Sequence, residues 1–258
     1  MVLAIDIGNT NVVVGCFKDN KILFVERVST NHTATDLEYA STIRMALHIN
    51  GYNSSQLEGA IISSVVPSVT STVKRAIEKY TKLTDVMVVS PGIKTGLIIH
   101  IDNPAQLGSD LVVDAVAGIN NYPLPQIIID MGTATTFSVI TSQKHYIGGL
   151  IMSGVGVSAE ALTSRTSQLP KIGFETPKSV VGTNTIECMR NGIMLSNACA
   201  IDGIVERIEE ELGEKCTVIA TGGLAEIITP LCKRDVILDN ALLLKGLMII
   251  YNKNINNK

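Results

Sequence analysis

Two short segments hold the residues best suited to chemistry, Asp6-Ile7-Gly8-Asn9-Thr10-Asn11 and Asp130-Met131-Gly132-Thr133-Ala134-Thr135-Thr136. In the first, Gly8 permits a tight turn and lets the backbone approach a bulky anion. Asn9, Thr10 and Asn11 set amide and hydroxyl donors beside exposed N–H groups, a cradle for phosphate. Asp6, ending an apolar run, can hold a hydrated cation between carboxylate and phosphate. A hairpin of these residues can also do no more than satisfy its own turn. The second copy moves the reading to phosphate, because two hydroxyl-rich glycine turns, each led by an aspartate, suit the two sides of one polyphosphate. A third glycine turn, Thr221-Gly222-Gly223, follows an apolar run and opens an expected helix. There the backbone can approach a flat adenosine beside a helix N-terminus. Taken alone, it is a plain strand-to-helix turn.

The elements around these turns repeat. VLAI and QIIID lead into the two hairpins, NVVVGCF and TTFSVIT leave them, and ILFVERVS and HYIGGLIM follow after the turns KDNK and TSQK. Two strand-turn-strand-turn-strand units thus recur about half a chain apart. Thr35 to Glu38 fits a capping box, and Leu37, Ala40, Ile43 and Leu47 form a helical stripe behind it. AIISSVV at 60–66 reads as a buried strand stopped by Pro67. Val69, Val73, Ala76, Ile77 and Tyr80 stripe a second helix, and DVMVVS returns as a strand. A third helix starts near Ser109, with Leu111, Ala115 and Ile119 expected to face inward, and Pro123 and Pro125 break the chain in two. In the second half, GVSAEALTSR and the long tract from TNTIECMRNG to EEEL read as helix, TVIATGG as a strand entering its glycine turn, and NALLLKGLMIIY as a closing helix. The class is α/β, with two mixed-sheet domains at 1–120 and 121–258. The tail NKNINNK is expected to fray.

Composition bounds what such domains can do. At 258 residues, 46% hydrophobic and 17% charged, the chain can bury a sizeable core and is not generally disordered. A net charge of −3, no Trp and 4% aromatics leave no basic or stacking footprint for nucleic acid. No apolar run reaches the roughly 18 residues that span a bilayer, and Asp6 interrupts what would otherwise be a leader. Neither a membrane nor nucleic acid is expected as a partner. The 5 cysteines (Cys16, Cys188, Cys199, Cys216 and Cys232) include no C-x-x-C pair. Cys16, Cys199 and Cys216 lie in apolar segments and are expected to be buried, reduced thiols of a cytoplasmic protein. The 4 histidines are scattered singly, which favours structural or solvated roles over metal ligation.

The order of the motifs resembles that of the type III pantothenate kinases, within the acetate and sugar kinase, actin and heat-shock ATPase superfamily. The resemblance is carried by DIGNTNVVVG, SSVVPSV, DNPAQLGSD, DMGTATTF, SGVGVSAEAL, GTNTIECMRNG, AIDGIVERI, ATGGLA and LKGLMIIY, spread over almost the whole chain. It implies two ribonuclease H-like, actin-like ATPase domains with mixed sheets flanked by helices, and an ATP cleft between them. It also implies ATP-dependent phosphorylation of pantothenate in coenzyme A synthesis, a homodimer, Mg²⁺ or another divalent cation, and K⁺ or NH₄⁺. The resemblance puts the catalytic base on Asp110 and the monovalent cation on Asp130. ATP falls on Asp6, Ile7, Gly8, Asn9, Thr10, Asn11, Val12, Val13 and Thr133. Pantothenate falls on Ile101, Gly108, Ser109, Asp110 and Leu111, and on Thr185 reaching over from the partner subunit.

Residue chemistry agrees with these roles. Phosphoryl transfer needs mainly alignment and charge neutralisation. A carboxylate at a helix start, which the dipole favours in its ionised form, can orient an acceptor hydroxyl and take its proton. Asp114, one turn on, is a weaker candidate for the same work. Carboxylates this near a polyphosphate demand cations. Two positions depart from the family's pattern: Leu111 stands where an arginine is usual and Ile101 where a tyrosine is common. A positive charge for the substrate carboxylate is then sought at Arg165 or Lys171. The departures keep two alternatives open, a kinase of the same fold for another small hydroxy acid and an ATP-binding regulatory or accessory homologue; Asp110 favours an enzyme.

Overall fold

The computed structural model describes residues 1–255. In chain order the elements are β1 (Val2–Ile7), β2 (Asn11–Lys18), β3 (Lys21–Ser29), α1 (Asp36–Ile49), β4 (Gly59–Ser64), α2 (Pro67–Thr81), β5 (Val86–Val88), β6 (Ile98–Ile99), α3 (Ser109–Asn121), β7 (Gln126–Met131), β8 (Ala134–Ile140), β9 (His145–Ser153), α4 (Val155–Arg165), α5 (Thr185–Leu212), β10 (Thr217–Thr221), α6 (Ala225–Ile228), β11 (Ile237–Leu238) and α7 (Leu242–Ile255). They form two compact units. One comprises Met1–Leu97, Asp102–Asn120 and the segment from Ala241; the other comprises Ile98–Ile101 and Asn121–Asn240.

The first unit holds a sheet ordered β3-β2-β1-β4-β5. β1, β2 and β3 form an antiparallel meander, and β4 and β5 run parallel to β1. Alternation along β1 sends Leu3, Ile5 and Ile7 into the core under α1 and α2, and Val2 and Ala4 into the core with α3 and α7. Asp6 falls on the second face, at the strand's carboxyl end. The other unit repeats the pattern as β9-β8-β7-β10-β11 and adds β6 beside β9. β7 to β9 form the meander, and β10 runs parallel to β7. Ile127, Ile129 and Met131 pack into the core with Ile193, Met194, Ile201 and Val205 of α5.

Several details differ from expectation. The Thr35–Glu38 capping box is present, but Leu37 lies on the solvent side of α1, 62% exposed; Tyr39, Ala40, Ile43, Ala46 and Leu47 form the buried face. β4 ends at Ser64, two residues short of the expected Val66, because Val66 is taken up as the N-cap of α2, which Pro67 opens. In α3 Ala115 is fully buried as expected, together with Val113, Val116 and Ala117, whereas Leu111 and Ile119 are only half-buried. The cause is the close approach of α7: any side chain at Gly246 would collide with the Val113 carbonyl. α7 also takes in Asn252–Ile255 of the tail expected to fray. Asn254 bonds Lys94 in both directions (3.2 and 3.0 Å), and Lys253 Nζ donates to the Thr95 carbonyl at 2.8 Å. The rest of that expectation falls on 256–258, outside the described residues. Cys16 is buried, and burial pushes its thiol up to about 12, making it inert. Cys216 is half-buried. Cys199 is exposed, contrary to expectation, because α5 turns it to the outer face of the helix. Among the described residues no helix is long and apolar enough to cross a membrane.

Candidate active site

In the first unit the hairpin between β1 and β2 consists of Gly8, Asn9 and Thr10. Its own carbonyls are tied down: Gly8 N–H donates to Asn11 O (2.9 Å), Thr30 N–H to Thr10 O (2.8 Å), and the Thr30 hydroxyl to Gly8 O (2.6 Å). A Cβ at residue 8 would sit 3.2 Å from the Asn11 carbonyl, so the turn has little room for a side chain. Asn9 and Thr10 are exposed. Ile7 and Val12 spend their side chains in the core, which leaves only their backbone for a ligand. Val13 lies on the same face as Asp6, its cross-strand partner.

On its other side Asp6 neighbours Ser63 of β4. Ser63 is fully buried and lies 3.1 Å, Oγ to Oγ, from Ser109 at the start of α3. The Ser109 hydroxyl also donates to Ser64 O (2.9 Å) and accepts from Ser64 N–H (3.0 Å). Asp110 follows in the first helical turn, where its Oδ1 accepts the Leu111 N–H at 2.8 Å. Gly108 makes room for that carboxylate, since a side chain at 108 would collide with it. Burial raises the Asp110 pKa from the ordinary value of a carboxyl, against the opposing pull of the Leu111 N–H. The N–H groups at the helix start favour the ionised form, as expected, but desolvation outweighs them, and the carboxyl is a stronger base than an exposed one. Asp114 is 1% exposed, too buried to share the work at the surface of the turn.

In the other unit the loop of the hairpin is one residue shorter, Gly132-Thr133 against Gly8-Asn9-Thr10. Gly132 N–H donates to Ala134 O (3.0 Å), and Gly154 N–H donates to Thr133 O (3.1 Å). Gly154 packs directly on the hairpin: a Cβ there would meet the Thr133 carbonyl and lie 2.6 Å from Gly132 O. Asp130 has Thr136 of β8 and Thr221 of β10 as its cross-strand neighbours. The Thr136 hydroxyl is buried with no hydrogen-bond partner among the described residues. Gly222 adopts φ +97°, and a Cβ there would stand 2.5 Å from Asp130 Oδ1 and 2.6 Å from Met131 N. The glycine turn after β10 is therefore built against the Asp130 hairpin. The helix it opens, α6, is only Ala225–Ile228. One turn supplies no helix N-terminus for an adenosine, which corrects that part of the expectation.

Thr185 is the first residue of α5, exposed, behind an N-cap in which Asn184 Oδ1 accepts the Glu187 N–H at 3.0 Å. Ile101 is half-buried in the segment after β6, where His100 N–H donates to Tyr146 O at 2.8 Å. Arg165 and Lys171 are both exposed, at and beyond the end of α4. Sequence reasoning assigned no role to Ser63, Ser64 or Gly154 and placed Thr136 only within the hydroxyl-rich second hairpin; the stretches were visible, but the contacts of these residues follow from the folded packing.

Two sheets of the same order, each with a glycine hairpin led by a strand-end aspartate, define an α/β protein of the sugar kinase and actin-like ATPase fold. Solved structures agree. The activator of 2-hydroxyisocaproyl-CoA dehydratase from Clostridium difficile, solved with ADPNP bound, matches with TM-score 0.59 and 14% identity, covering 100% of this chain and 97% of that one. The (R)-2-hydroxyglutaryl-CoA dehydratase component A of Acidaminococcus fermentans matches with TM-score 0.58 and 15% identity, covering 100% and 99%. At these identities the likeness is one of fold. Sequence goes further. The family model described as type III pantothenate kinase matches residues 2–207. The type III pantothenate kinase of Bacillus cytotoxicus is 44% identical over 254 residues, covering 98% of this chain and 97% of that protein. That of Halalkalibacterium halodurans is 43% identical over 255 residues, covering 99% and 100%. The chain belongs to the type III pantothenate kinase family, and it is a kinase.

Proposed function

We propose that the chain transfers the γ-phosphoryl group of ATP to the hydroxyl of pantothenate, giving 4'-phosphopantothenate in the first step of coenzyme A biosynthesis. The observation that carries the mechanism is Asp110, a half-buried carboxylate of raised pKa held at the start of α3 by its neighbour's N–H. Asp110 orients the acceptor hydroxyl and takes its proton as the new O–P bond forms and the bond from Pγ to the β-phosphate oxygen breaks. Asp6, Gly8 and the exposed Asn9 and Thr10 serve the nucleotide phosphates, and Thr133 is assigned to ATP as well. Gly108, Leu111, Ile101 and Thr185 belong to the acceptor side.

Among the described residues no three His, Cys, Asp or Glu gather into a cage. A divalent ion would instead be held by a carboxylate such as Asp6, phosphate oxygens and water, as Mg²⁺ is with nucleotides. Such an ion would neutralise charge on the transferring group. K⁺ or NH₄⁺ fits Asp130, where the unpartnered Thr136 hydroxyl adds an oxygen donor. A homodimer is supported by apolar side chains left at the surface of the second unit, among them Ile151 (77%), Val180 (74%) and Val181 (76%), with Ile186 beside Thr185. We read the enzyme as cytoplasmic, without nucleic-acid or membrane partners. Leu111 and Ile101, apolar where the family's pattern has arginine and tyrosine, favour a second reading, another small hydroxy acid as acceptor. A panel of hydroxy acids separates the two: turnover of another acid with none of pantothenate would overturn the first. Asp110→Asn is expected to cut turnover by roughly 10²–10⁴-fold while ATP still binds; near-normal turnover would remove Asp110 from the base role.

A further inference from the structure

We propose that Ser109 is a positioning residue for the reaction, which sets Asp110 in place by completing the hydrogen bonding of β4 where β5 has ended. The proposal rests on Asp110 being the base. β5 pairs only with Ala60, Ile61 and Ile62. Peptide groups alternate sides along a strand. Val65 N–H donates towards β1, to Ile7 O (3.0 Å), whereas Ile62 O accepts from Val89 N–H (2.8 Å) on the β5 side. The N–H and C=O of Ser64 therefore face the β5 side, one step beyond the last residue that β5 can reach. Both are taken up by one atom, Ser109 Oγ, at 3.0 and 2.9 Å.

A hydroxyl has one proton and two lone pairs. Ser109 gives its proton to Ser64 O and accepts from Ser64 N–H, so in the 3.1 Å contact with Ser63 the proton belongs to Ser63. Every valence of the Ser109 hydroxyl is then used, and none is left over for a substrate. Ser63 is the sheet neighbour of Asp6, and Asp110 is the residue after Ser109. One saturated hydroxyl thus ties the start of α3, and with it the Asp110 carboxylate, to the strand end beside the phosphate hairpin. This differs from a contact with pantothenate.

The test is steady-state kinetics of Ser109→Ala, Ser109→Thr and Asp110→Asn in the full-length enzyme, at a temperature where melting curves show each to be folded. A misplacement of about 1 Å can cost on the order of 10²-fold in rate; allowing for partial relaxation, Ser109→Ala is expected to lose about 10-fold in kcat. Its KM values for ATP and for pantothenate should stay within about 2-fold of the wild-type values. Ser109→Thr, which keeps the hydroxyl, should recover most of the lost rate. Unchanged kcat in Ser109→Ala overturns the proposal, and so does a loss confined to KM for pantothenate, which would mark a substrate contact. A kcat loss that Thr does not restore also counts against it. Asp110→Asn separates the two levels: if that variant turns over normally, the base reading has failed, whereas an inactive Asp110→Asn beside a normal Ser109→Ala sinks the positioning role alone.

Discussion

Gly222 offers a quantitative test of how the Asp130 hairpin is built. Replacing it by alanine imposes two separate costs. The first is conformational: φ is +97°, a region that costs an L-residue about 1–2 kcal/mol. The second is steric. The new Cβ would stand 2.6 Å from Met131 N and 2.7 Å from Met131 C, where contact distance is about 3.5–4.0 Å, so backbone must move by nearly 1 Å. Overpacking of this kind costs about 1–3 kcal/mol. The sum is about 2–5 kcal/mol, a large share of a stability of roughly 5–15 kcal/mol. At about 2–4 °C per kcal/mol for a chain of this size, the melting temperature should fall by roughly 4–20 °C. Gly92 is a matched control, because it has the same φ of +97° and open space around its Cβ position. Gly92→Ala should carry the conformational cost alone. Melting curves of both variants followed by circular dichroism give the difference, and Gly222→Ala is further expected to weaken the response of turnover to K⁺ because Asp130 Oδ1 lies 2.5 Å from the added carbon. A Gly222→Ala protein that melts no lower than Gly92→Ala would refute the packing of the two glycine turns described above.

Thr35→Ala, which removes half of the α1 capping box, should cost about 1 kcal/mol and leave the kinetics unchanged, read by melting and by kcat. Asp110 pairs function with a stability cost. Its folded pKa is raised, so its ionised form is disfavoured on folding and the penalty is absent below the unfolded pKa of about 3.9 and complete above the folded value. Asp110→Asn should therefore melt higher than wild type at neutral pH, with the advantage fading as pH falls through that window; an advantage that persists at low pH would contradict the assignment. For the same reason the acid limb of wild-type kcat/KM should be shifted upward from the ordinary value of an exposed aspartate. Replacing K⁺ by Na⁺ should cut turnover, and indifference would discredit the cation role of Asp130. Mixing inactive Thr185→Ala with inactive Asp110→Asn should restore activity if subunits exchange and each site borrows Thr185 from its partner; no recovery after demonstrated exchange would count against a shared site.

What was legible in the sequence was local or periodic. The two hairpins announced themselves through repeated composition, the α1 cap through its Thr35–Glu38 spacing, and the closing helix through its apolar run. Burial faces were harder. The α1 stripe wrongly took in Leu37, since a helix with apolar residues on more than one side does not say which side meets the core. In α3 the inward face was decided by Gly246, more than a hundred residues away. Cys199 illustrates the same point, for an apolar neighbourhood in sequence is no guarantee of a buried position on a helix. The candidate site divided likewise. Asp6 and Asp130 stood out by type and spacing and Asp110 through the family resemblance, which put Ser109 on pantothenate; the tie between the serines and Asp110 was not legible, because Ser63, Ser64 and Ser109 meet only after β4 and α3 have packed. That Gly222 presses on Asp130 was equally beyond a linear reading, although both glycine motifs had been singled out.

The most direct test of the whole account is a coupled ADP-release assay with ATP, Mg²⁺, K⁺ and pantothenate, with mass spectrometry of the product. The account predicts a K⁺-dependent product heavier than pantothenate by one phosphoryl group, formed in spite of Leu111 and Ile101. ADP release that ignores pantothenate, or no phosphorylated product from an enzyme shown to bind ATP, would contradict it.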